Sequence, residues 1–160
     1  MPEMYHHSIL IIDKDEVVRD SLRALLESYG FLVRTFRDSG EFLGIAGKPS
    51  GKCLIIGCHR HIREGLQLLR KLRNGDFDLP VIFTVGGGSD AMKAAALAAG
   101  AFAYLERPVA EDVLMQIVRR AVAWRTVTEG APASAGAASG HGSWSGKARA
   151  RQVVKKRGGS

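Results

Sequence analysis

KCLIIGCHRH, residues Lys52–His61, is the stretch whose reading decides the fold. Its run Cys53–Ile56 is wholly apolar and short, the pattern of a strand covered on both faces, and such strands stand at the centre of parallel sheets. In open α/β sheets the working crevice lies outside the carboxyl ends of the strands, which directs attention to Gly57, Cys58 and His59. None of the three is a carboxylate.

Working outward, Ser8–Ile12 (SILII) reads as a first buried strand and runs straight into the acidic turn DKDE, Asp13–Glu16. Val18, Leu22, Leu25, Leu26 and Tyr29 then recur at helical spacing, and Gly30 stands where a left-handed C-terminal cap is wanted. Phe31–Phe36 reads as a second strand, and a short helix carrying Phe42, Leu43 and Ile45 leads through the loop Gly47–Gly51 to the central strand. Beyond it come a helix with Leu66, Leu69 and Leu72, a fourth strand Val81–Val85, and a triple glycine, Gly86–Gly88. An Ala-rich helix over Asp90–Ala99 and a fifth strand, Ala103–Leu105, precede Glu106-Arg107-Pro108. A last helix opens with Glu111 and Asp112 and closes with Arg119, Arg120 and Arg125, the charge order its dipole favours, and offers Val113, Leu114, Ile117, Val118 and Ala121 for burial. Five strand-helix pairs in strict alternation predict an α/β fold, a parallel sheet covered by helices on both faces.

The 160 residues suit one domain of roughly 120 residues plus a tail. The expected divisions are a domain over 1–125, an Ala/Gly/Ser-rich linker over 126–146, interrupted by Trp144, and a basic tail over 147–160. Of the net charge of +7, residues 126–160 contribute +5, from six Lys or Arg against one Glu. The tail cations are Lys147, Arg149, Arg151, Lys155, Lys156 and Arg157, a cluster suited to phosphate or nucleic-acid contact or simply to solubility. Cys53 and Cys58 flank one strand end and cannot bridge while it is extended. No signal peptide and no apolar run of membrane-spanning length is evident, so a cytoplasmic protein without a membrane partner is expected.

Acidic residues after strand one, a buried third strand, a Thr-containing fourth strand and a basic residue before proline after the fifth together resemble the receiver (CheY-like) domain of bacterial two-component response regulators. The resemblance covers about Ser8–Arg125 and is carried by IIDKDEVVRDSLRALLESYGF, LPVIFTV and AAGAFAYLERP. It implies a flavodoxin-like doubly wound sheet of five strands in the order 2-1-3-4-5, with five helices. It also implies a magnesium site made by two acidic residues after strand one and an aspartate ending strand three, the last of which accepts phosphate.

Here the acidic pair falls on Asp13 and Lys14, the acceptor position on Gly57, the Thr or Ser position of strand four on Val85, and the strand-five lysine on Arg107, which keeps Pro108 after it and implies a cis peptide bond. Tyr104 takes the aromatic switch position. With Lys14 and Arg107 opposing Asp13 and its neighbour Asp15, magnesium binding is expected to be weak or absent and no other metal or cofactor is expected. The Lys14 ammonium is expected to balance the Asp13 charge. Cys53, Cys58, His59 and His61 are metal-ligating types, but their spacing matches no zinc module and strand alternation aims the two cysteines apart. His6 and His7 read as a frayed terminus, and Gly86–Gly88 as a flexible loop before an anion cradle. No Walker or dinucleotide-binding glycine pattern occurs, and DKDE after strand one would repel phosphate.

The reading is therefore a non-enzymatic pseudo-receiver of a phosphorelay, not phosphorylated at Gly57 and acting by contact with a histidine kinase or another response regulator; homodimerisation is an expectation at family level only. The alternative is a transcriptional regulator associated with DNA or RNA through the basic tail. Truncation after Val127 separates the two, since kinase binding survives it in the first case and nucleic-acid binding vanishes in the second. A third option is phosphotransfer relocated to Asp13, Asp15, His59 or His61.

Overall fold

The computed structural model describes residues 8–44, 51–75 and 78–130. Five strands, β1 (Ser8–Ile12), β2 (Leu32–Phe36), β3 (Cys53–His59), β4 (Val81–Gly86) and β5 (Ala103–Glu106), alternate with helices α1 (Glu16–Ser28), α2 (Ser39–Leu43), α3 (Arg63–Asn74), α4 (Asp90–Ala98) and α5 (Glu111–Gly130). All strand pairs are parallel, in the order β2-β1-β3-β4-β5. The parallel sheet is the one the alternation predicts, and its flavodoxin-like order is the one the family resemblance implies.

Strand alternation divides the core into two layers. On one face Leu10, Ile12, Leu54, Ile56, Val81, Phe83 and Val85 pack with Phe42 of α2, Leu68, Leu69 and Leu72 of α3 and Ala96 of α4. On the other, Ile9, Ile11, Val33, Cys53, Ile55 and Ile82 pack with Leu26 of α1 and with Leu114, Met115, Val118, Ala121 and Val122 of α5. Cys53 and Cys58 do face opposite layers, and both are free thiols. Turns hold where sequence chemistry placed them: Gly30 and Gly100 adopt φ of 95° and 103°, and the Arg107-Pro108 bond is cis. Asp15, Asp38 and Ser89 cap α1, α2 and α4 by accepting hydrogen bonds from backbone N–H groups.

Several expectations need correction. β3 does not stop at Ile56 but runs to His59, because β4 continues beside it to Gly86 and supplies ladder partners. β2 begins at Leu32 rather than Phe31. Val113 is exposed, not buried: Leu114, Val118 and Ala121 fix the inward face of α5, and the helical turn carries Val113 off it. Leu43 is likewise exposed, leaving Phe42, in edge-to-face contact with Phe36, to anchor α2. α5 runs to Gly130, beyond the Arg125 at which the sequence reading closes the helix. His6, His7, Ile45, most of the Gly47–Gly51 loop, Trp144, the linker beyond Gly130 and the six tail cations lie outside the described residues. Among the described residues no helix is long and apolar enough to cross a membrane.

Candidate functional site at the carboxyl ends of the strands

The cluster at the sheet's carboxyl edge is built by strand parity. Asp13 follows Ile9 and Ile11, Thr84 follows Ile82, Gly57 follows Cys53 and Ile55, and Arg107 lies two residues past Leu105, so all four stand on the layer shared with α1 and α5. Arg107 Nη2 donates to Asp13 Oδ2 at 2.7 Å and to Thr84 Oγ1 at 3.1 Å. The carboxylate and its partner are withdrawn from water, with side-chain exposures of 6% for Asp13 and 21% for Arg107. The remaining Asp13 oxygen, Oδ1, accepts the Asp15 backbone N–H at 2.9 Å, and Arg19 Nη1 donates to the Asp13 carbonyl at 2.8 Å. Every polar atom of Asp13 that faces inward therefore has a partner.

Lys14 does not serve Asp13. It lies on the opposite side of the chain from its neighbour's carboxylate and pairs with Glu64 of α3 at 2.8 Å on the exposed surface. Glu64 raises the Lys14 pKa through the hydrogen bond and its charge. The expected Lys14–Asp13 compensation is corrected accordingly, and Arg107 fills that role.

Gly57 is paired laterally with Thr84, without any slip of register. A Cβ at position 57 would overlap the Asp13 carboxylate and the Arg107 guanidinium, closer than real Cβ atoms come to any neighbour. The volume beside position 57 is thus filled by an ion pair. Val85, on which the resemblance places a hydroxyl residue, lies on the other layer, fully buried beside Tyr104. Tyr104 is turned inward, and its hydroxyl is buried without a hydrogen-bond partner. Burial raises its pKa, and the nearby Ser89 backbone opposes this.

Arg19 and Glu64 are participants that the sequence reading does not single out. The oxygen donors here are committed: Asp13 to Arg107 and the Asp15 amide, Asp15 to the Val17 and Val18 amides, Glu64 to Lys14. Among the described residues no three Asp, Glu, His or Cys side chains converge as a ligand group, and His59 and His61 do not join Cys58 in one. Cys58 itself is a poor nucleophile, since burial pushes its thiol up to about 11, an effect the neighbouring Asp13 reinforces and Arg107 opposes. Alkylation of Cys58 is expected to be slow at neutral pH and to accelerate about tenfold per pH unit up to about 11, as thiolate forms. A labelling rate that levels off near pH 8 or 9, followed by peptide mass spectrometry, would contradict that environment.

A parallel five-stranded sheet in this order is the flavodoxin-like fold on which receiver domains are built. Residues 9–119 match the response regulator receiver domain, and the chain belongs to that family. It is 34% identical over 116 residues to the transcriptional regulatory protein TdiR of Thauera aromatica, covering 72% of this chain and 51% of that protein. To the transcriptional regulatory protein FixJ of Bradyrhizobium diazoefficiens it is 31% identical, covering 71% and 56%. The chain spans about half the length of these curated relatives. Among solved structures, FixJ-N superposes with a TM-score of 0.66 at 30% identity, over 73% of this chain and 94% of that one. A CheY-like receiver domain from Methanospirillum hungatei gives 0.68 at 26%, over 76% and 97%.

Proposed function

We propose that this receiver domain accepts no phosphoryl group at position 57, binds no magnesium at its strand ends, catalyses nothing, and takes part in two-component signalling by protein contact, with a histidine kinase or another response regulator as partner. The observation that carries the reading is the filled acceptor volume: an aspartate at position 57 has no side-chain space while Asp13 and Arg107 are paired. The donor set supports the magnesium statement. A hard divalent cation wants six or so oxygen ligands, whereas the one buried carboxylate here is already neutralised by a guanidinium 2.7 Å away.

The test is intact-mass spectrometry after incubation with magnesium and a small phosphodonor, and separately with an active histidine kinase and ATP. No phosphoryl adduct is expected in either case. An adduct, mapped to Asp13, Asp15, His59 or His61, would overturn the reading and identify a relocated acceptor.

A further inference from the structure

We infer that Gly57 and Arg107 are a matched socket and plug: the missing side chain at 57 makes the space in which the Arg107 guanidinium lodges as a resident cation, joining the ends of β1, β4 and β5 without an external ligand. The inference deepens the reading of a phosphate-independent domain and is tested by a different observable.

Gly57 has no backbone reason to be glycine. It lies in an extended central strand, φ is not in the left-handed region, and glycine there forgoes packing and loses more chain entropy on folding than any other residue. What the site demands at 57 is absence of a Cβ, and the two groups that a Cβ would strike are the Asp13 carboxylate and the Arg107 guanidinium. Charge makes the second half of the argument. A carboxylate buried as deeply as that of Asp13 needs a fixed counter-charge, and Lys14, its nearest cation in sequence, is engaged by Glu64 on the surface. The planar guanidinium of Arg107 meets the need while holding a second buried oxygen, Thr84 Oγ1, through the same nitrogen. A single side chain just past the end of β5 thereby ties the end of β1 to β4 over Gly57 of the intervening β3.

A double-mutant cycle tests this on the full chain. Gly57→Ala is expected to lower the folding equilibrium constant on the order of tenfold more in the wild-type background than in Arg107→Ala, where the guanidinium is gone and the Asp13 carboxylate, no longer held by it against position 57, is free to turn aside. Equal losses in both backgrounds would overturn the coupling. Should Gly57→Ala not fold, the decision passes to Arg107→Ala alone. Millimolar methylguanidinium is expected to raise its thermal midpoint, while methylammonium at the same concentration does not. Equal effects of the two cations would overturn the inference. Either result is independent of phosphorylation: a phosphoryl adduct in the mass experiment would sink the proposed function and leave the cycle to decide the socket.

Discussion

Gly57→Asp is expected to destabilise the domain by about 3–5 kcal/mol and to confer no phosphorylation. Restoring the acceptor on paper introduces a second carboxylate into a site with one buried guanidinium, so that Asp13 and the new residue compete for Arg107 and one negative charge is left uncompensated. Sterics add to this, because the new Cβ alone overlaps both members of the existing pair. Overpacking by itself is worth about 1–3 kcal/mol and an unpaired buried charge more. Urea denaturation measures the first part, and intact-mass spectrometry with magnesium and a phosphodonor the second. Phosphorylation is expected first in the combined Gly57→Asp, Lys14→Asp, Arg107→Lys variant, where a second carboxylate returns and the branched cation gives way to a slimmer one. A single Gly57→Asp variant that is as stable as wild type, or that takes phosphate, contradicts the filled-volume account.

The contrast between Lys14 and Arg107 shows how far the residues alone lead. The architecture is legible because period-two and helical periodicities alternate cleanly, and counting from Ile12, Ile56 and Pro108 singles out Asp13, Gly57 and Arg107, which the fold brings together. Which cation serves Asp13 does not follow from adjacency: adjacency points to Lys14, but consecutive side chains leaving a strand diverge, and Lys14 is carried to α3 and Glu64. The same alternation was the available signal for Thr84: it shares the parity of Ile82 and stands beside Gly57, whereas Val85 shares that of Phe83 and belongs to the other layer. Arg19 was beyond such rules, since its bond to the Asp13 carbonyl depends on how a long side chain folds back along α1.

Gly88→Ala is expected to cost about 1–3 kcal/mol and to drive the Tyr104 ring from its pocket or displace the β4–α4 loop, although the backbone at 88 is compatible with any residue. The reason is contact: a Cβ on Gly88 would collide with the Tyr104 hydroxyl and press on the Val85 methyl at 3.1 Å. That hydroxyl is already a weak point. It is buried without a hydrogen bond, and Val85 offers no oxygen where the family carries Thr or Ser, so the inward position of Tyr104 rests on ring packing and on the space above Gly88. Tyr104→Phe should accordingly be tolerated within about 1 kcal/mol, because deleting an unsatisfied buried hydroxyl removes a desolvation penalty along with nothing it was bonded to. In the Tyr104→Phe background, most of the Gly88→Ala loss should disappear, since the atom that the new methyl strikes is gone. Urea midpoints for the four proteins, with peptide-mapped nitration of Tyr104 compared between wild type and Gly88→Ala, decide the matter. Equal Gly88→Ala losses with Tyr and with Phe at 104 would locate the strain in the loop, and unchanged nitration would show that the ring does not yield.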